Sequence, residues 1–172
     1  MSVTAGLPDI LAPDLRVVFC GINPGLTSAM LGHHFAKRSN RFWKAIHLAG
    51  FTPEQIAPEN SESILNYRCG LTTAVARPTS SANELSQDEF ERAALALSAK
   101  MAHYSPRYVA FLGKAAFAAI FARKLVEWGR QDVLIGGSKT WVLPNPSGLN
   151  RAFSLDQLVH AYKELHVAEK SS

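Results

Sequence analysis

The chain has 172 residues, of which 47% are hydrophobic and 19% charged. That length suits one compact domain, and that balance supplies a real core, so disorder is excluded as the whole answer. The formal net charge of +4 leans toward a polyanionic partner, although charge alone speaks to association and not to fold.

In chain order, Met1–Asp9 reads as a loose end. It carries no basic stretch ahead of an apolar core, so it is not read as a signal peptide. Arg16–Cys20 is a β-branched and aromatic run ending at Gly21, the pattern of a buried strand. Asn40–Ala49 has apolar residues at helical spacing and stops at Gly50, with Phe42 and Trp43 expected in the core and Arg41 and Lys44 on a solvated face. Thr52-Pro53-Glu54-Gln55 offers an N-cap, a proline at N1 and a glutamine at N3, so a helix is expected to start there. Ser86-Gln87-Asp88-Glu89 is a capping box, followed by Phe90, Ala94, Leu97 and Met101 on one helical face. Tyr108–Leu112 is a second buried strand, with Gly113 and a helix over Lys114–Leu125 after it. Thr140–Leu143 is another strand, broken by Pro144. Ser154-Leu155-Asp156-Gln157 is a second capping box, opening a helix that buries Leu155, Leu158, Tyr162 and Leu165.

Apolar strands alternating with helices predict a single α/β domain over residues 10–168, three layers α/β/α around a mostly parallel sheet. A loose tail is expected over Glu169–Ser172. No apolar run approaches the roughly 20 residues that span a bilayer, so no membrane partner is expected. Cys20 and Cys69 each lie in an apolar run and read as buried free thiols, which suits a reducing cytoplasm. Two cysteines are too few for a disulfide framework, a cysteine-only metal site or a four-cysteine iron–sulfur cluster.

In parallel sheets ligands bind beyond the carboxyl ends of the strands, and two of those ends carry unusual loops. Gly21-Ile22-Asn23-Pro24-Gly25 lacks the third glycine of a dinucleotide fingerprint and the Gly-Lys-Ser/Thr of a Walker A loop. Its two glycines and proline make a tight turn in which Asn23 is held rigidly, either to cap that turn or to face a ligand. Pro144-Asn145-Pro146-Ser147-Gly148-Leu149-Asn150-Arg151 sets an apolar Leu149 beside Arg151, the composition of a side-chain wedge into a base stack, though Leu149 could equally pack its own loop. His33 and His34 are adjacent and have no carboxylate or cysteine at ligand spacing, so no metal is expected.

The Gly21–Gly25 loop, Gly32-His33-His34-Phe35, Asn40-Arg41-Phe42-Trp43-Lys44 and the Asn145–Arg151 loop resemble, in order from Ile10 to Leu165, the mismatch-specific uracil-DNA glycosylases. These are the bacterial relatives of thymine-DNA glycosylase. The resemblance implies a uracil-DNA-glycosylase-like fold and a monofunctional enzyme without cofactor. It would be a cytoplasmic monomer acting on double-stranded DNA that contains G·U or related mismatches. Its substrates would be uracil, ethenocytosine and, weakly, thymine.

Such an enzyme must extrude the base, hold it, attack C1′ with water and fill the hole left behind. By resemblance, Asn23 positions the water and Asn145 hydrogen-bonds in the site. Phe35 stacks on the pyrimidine, and the N–H groups of Ile22 and Phe35 meet its carbonyl oxygens. Gly25 and Ser28 line the pocket, Ser28 near pyrimidine C5. Leu149 is the wedge, with Gly148 and Arg151 on the widowed guanine. Lys114 opens a helix that suits a phosphate, or is a plain surface lysine. Thr73 stands where some relatives carry lysine, which leaves the substrate range open.

Two rivals come from other classes. A catalytically silent module on the same fold that binds DNA mismatches or abasic sites is compatible with an amide in place of a base at Asn23. A hydrolase of free nucleosides is opposed by the positive balance and by the apolar loop tip at Leu149.

Overall fold

The computed structural model describes residues 6–171. Strands β1 (Val17–Gly21), β2 (Cys69–Thr73), β3 (Tyr108–Leu112) and β5 (Ser138–Leu143) run parallel, while β4 (Gly129–Ile135) joins β5 antiparallel at the edge. The sheet order is β2-β1-β3-β5-β4. Helices α1 (Leu26–Leu31), α2 (Phe42–Leu48), α3 (Gln87–Tyr104), α4 (Lys114–Phe121) and α5 (Leu155–Lys170) connect and cover it, with 3₁₀ segments over Pro58–Tyr67 and Ala82–Glu84.

Strand side chains alternate between faces, so each apolar strand feeds two cores. Val17 and Phe19, Tyr108 and Ala110, and Trp141 and Leu143 pack with α2 and α5. Val18 and Cys20, Val109 and Phe111, and Val142 pack with α3 and α4. The result is the expected α/β/α layering. Both capping boxes form, with Ser86 accepting from Glu89 N–H and Ser154 from Gln157 N–H. Both cysteines are free and buried, and burial pushes each thiol up to about 12. No helix among the described residues is long and apolar enough to cross a membrane.

Several local expectations differ from the structure, and Leu155, expected in the core, is only half-buried at the start of α5. No helix starts at Thr52, which is buried and donates its hydroxyl to the Glu54 carbonyl, so it does not cap a helix. Helix α4 ends at Phe121 instead of Leu125, because Ala122 turns into the left-handed region. Glu169 belongs to α5 and is buried against Arg16 and His166. Asp9 likewise takes the Thr72 hydroxyl and pairs with Lys100. The expected loose ends over residues 1–5 and at 172 lie outside the described residues.

Candidate active site

A cleft of about 770 Å³ opens beyond the carboxyl ends of β1, β3 and β5. Ile22, Asn23, Gly25, Ser28, Phe35, Lys114, Asn145 and Leu149 all line it. Gly148 and Arg151 do not, and both are exposed.

Asn23 does not cap its own turn. Its Nδ2 donates to the Arg77 carbonyl at 2.7 Å and to the Thr79 hydroxyl at 2.9 Å, across more than fifty residues of chain. A carbonyl can only accept, so the amide orientation is fixed, and among the described residues Oδ1 has no protein partner and stands as an acceptor. Thr79 is buried and held in turn. Its N–H donates to the Pro24 carbonyl, and its hydroxyl donates to the Ser81 carbonyl. Arg77 is fastened through its guanidinium to Glu89 and to the Glu84 carbonyl. That pairing holds the Glu89 carboxyl down at about 2. Sequence reasoning missed the whole buttress, because nothing local marks Thr79 as a partner of Asn23.

Phe35 stacks on Phe42, with ring centroids 4.1 Å apart and planes 22° apart, and its remaining surface lines the cleft. It is thus both a core-edge residue and a cleft wall. Its φ of 53° is uncommon for a bulky residue and locates backbone strain at the site. Buried Ser28 steadies this turn by accepting from Ala36 N–H at 3.0 Å. His34 sits inward beside Pro8 O, and burial lowers its pKa. The N–H groups of Ile22 and Phe35 have no acceptor among the described residues.

In the second loop Asn145 is oriented the opposite way. Its Oδ1 accepts from Ser147 N–H at 2.9 Å, and among the described residues Nδ2 has no acceptor and stands as a donor. Leu149 is 78% exposed at the tip. Arg41, expected on a solvated face, is half-buried and donates to the carbonyls of Pro146, Ser147, Asn150 and Phe153. Periodicity on α2 could not reveal acceptors lying more than a hundred residues away. Lys114 lies with its ammonium 4.5 Å from the centre of the Trp128 ring, and Trp128 meets Phe153 edge-on. Trp128, Thr73 and Lys37 also line the cleft. Among the described residues no group of three or more His, Cys, Asp or Glu side chains is placed to hold a metal ion.

Residues 8–166 match the family described as the Uracil DNA glycosylase superfamily. The chain belongs to that superfamily. The matched span includes both loops, all five strands and the five principal helices down to His166. Membership makes the reaction class hydrolysis of the N-glycosidic bond of uracil in DNA. The mostly parallel five-stranded sheet between helices is the fold that goes with it. The cleft offers an aromatic wall, one fixed acceptor, one fixed donor and two backbone N–H groups without an acceptor among the described residues.

Proposed function

We propose that this chain is a monofunctional, mismatch-specific uracil DNA glycosylase that removes uracil paired with guanine from double-stranded DNA. The observation that carries the proposal is the opposed presentation of two amides in one cleft, an acceptor from Asn23 and a donor from Asn145. Uracil turned out of the helix would stack on Phe35, with Ile22 and Gly25 on the wall and Ser28 toward C5, where it restricts thymine.

Asn23 Oδ1 orients a water toward C1′. An amide does not take up a proton at neutral pH, so bond breaking runs ahead of attack and the sugar becomes oxocarbenium-like. The C1′–N1 electron pair leaves with uracil, the water oxygen bonds to C1′, and the proton that the water sheds neutralises the departing uracil anion. Asn145 Nδ2 and the N–H groups of Ile22 and Phe35 stabilise the anion that develops on its carbonyl oxygens. Leu149 fills the vacated position, Gly148 and Arg151 face the orphaned guanine, and Lys114 leaves Trp128 for a phosphate. Both loops come from one chain, which supports action as a monomer.

A catalyst of this kind has little surplus with which to open a sound U·A pair. Extrusion costs a few kcal/mol and costs least at a mismatch, which favours U·G. The test is a gel of labelled duplexes carrying U·G, U·A or T·G, together with single-stranded uracil, incubated with protein and then treated with hot alkali. Alkali-labile breaks strongest at U·G are expected. Retention of the duplex without any break would instead mean a silent binding module.

A further inference from the structure

Two loops that approach from opposite ends of the chain are locked into one body. The first runs from Phe35 to Arg41 and carries the aromatic wall. The second runs from Pro144 to Phe153 and carries Asn145 and the exposed Leu149. Arg41 joins them with backbone and guanidinium together. Its N–H donates to the Pro146 carbonyl at 3.0 Å. Its guanidinium reaches Phe153 O at 2.6 Å, Asn150 O at 2.9 Å, Ser147 O at 3.0 Å and Pro146 O at 3.4 Å.

Four carbonyls facing one planar cation is a rigid arrangement, since a guanidinium presents its donors in a fixed fork. The acceptors are spaced on both sides of Leu149, so the loop tip is held at its two feet. A second contact acts at the tip itself. A Cβ on Gly148 would lie 2.6 Å from Ser39 Cβ and 2.7 Å from Ser39 O, so only glycine permits this close approach. The Asn150 side chain then donates to Asn145 O at 2.9 Å, tying the tip back to the cleft.

We infer that Arg41 is a positioning residue for strand opening: it sets Leu149 at the height from which it enters the base stack, without touching the substrate. The inference rests on the reading of Leu149 as the wedge. The wedge is built before DNA arrives, so its ordering is already complete in the free protein, which raises the effective strength of a small apolar contact.

The test measures single-turnover excision from a U·G duplex and from single-stranded uracil, and takes the duplex-to-single-strand ratio as its readout. Loss of general stability, or a shift of Asn145, lowers both rates and leaves the ratio in place. Arg41→Lys keeps the charge but replaces the fork by a point donor. It is expected to lower the ratio about tenfold, and to leave it unchanged once Leu149→Ala is present. Arg41→Gln removes the charge and the fork but keeps a planar donor in the same place, and it should give the same pair of results, which covers the case in which Arg41→Lys does not fold. The inference is overturned if both substitutions leave the ratio alone, or lower it by the same factor with and without Leu149→Ala. If Leu149→Ala alone leaves the ratio at the wild-type value, the wedge reading fails and takes the role of Arg41 with it.

Discussion

The side-chain amide of Asn23 is held by the main chain of Arg77, 2.7 Å away and 54 residues along the sequence. This bond decides which end of the amide faces the cleft. Nδ2 is committed to the protein, and Oδ1 is offered to whatever enters. Asn23→Ala should therefore bind duplex DNA nearly as well as wild type while losing roughly 10²–10³-fold in single-turnover excision, the usual effect of removing one preorganised polar group. Excision at the wild-type rate by the alanine variant would remove Asn23 from the reaction.

Thr79 supplies the second acceptor for the same amide. Thr79→Val keeps the shape and deletes the hydroxyl, so Asn23 should lose definition but not its Arg77 tether. A net hydrogen bond contributes about 0.5–1.5 kcal/mol, so excision should fall roughly 2- to 12-fold, well short of the Asn23→Ala loss. The same single-turnover assay decides, and a fall as deep as that of Asn23→Ala would make Thr79 part of the chemistry.

Strand cleavage should require added alkali or heat. Neither Gly21–Gly25 nor Pro144–Arg151 contains a lysine, but the folded cleft brings in two from elsewhere, Lys37 of the Phe35–Arg41 loop and Lys114. The Lys114 ammonium rests over Trp128, while Lys37 is exposed at the rim, and neither belongs to the strand ends that carry the two amides. Borohydride added during turnover should trap no covalent protein–DNA adduct. A trapped adduct lost in Lys37→Ala or Lys114→Ala would assign Schiff-base chemistry to that residue.

Stability of the Phe35 segment should depend on pH through His34. Burial lowers the pKa of its ring below the ordinary 6.5, against smaller upward pulls from the Pro8 carbonyl and Asp9. The folded state therefore prefers the neutral ring, and below 6.5 the unfolded state binds more protons. The stabilisation is fully present above that value and is lost as the pH falls toward the folded-state pKa. Melting temperature should drop more steeply between pH 7.5 and 5.5 in wild type than in His34→Gln. Since His166 is shifted the same way in both proteins, the difference between the two slopes isolates His34. Parallel slopes would contradict the assignment.

The features legible in the sequence were those with local causes. Ser86 and Ser154 announced their helices because a capping box is complete within four residues. β1, β3 and β5 were legible because a strand buried on both faces is a continuous apolar run. β4 went unseen because it is an edge strand, with a polar, alternating surface in Gly129–Ile135. β2 went unseen because Gly70 weakens its pattern, yet that glycine is needed where the Ile10 carbonyl would lie 2.6 Å from a Cβ. In the site, the loops and the inward residues were readable from composition and resemblance. The tethers of Asn23, Asn145 and Arg41 were not, because their orientation comes from carbonyls that only folding brings near.

The pairing preference is the central claim, and single-turnover excision of uracil from matched U·G and U·A duplexes tests it most directly. A good base-edge contact discriminates by about 1–3 kcal/mol, so U·G should be processed roughly 5- to 150-fold faster than U·A. Arg151→Ala should narrow that ratio more than it lowers the U·A rate. Equal rates on the two duplexes, or a faster U·A, would contradict the account.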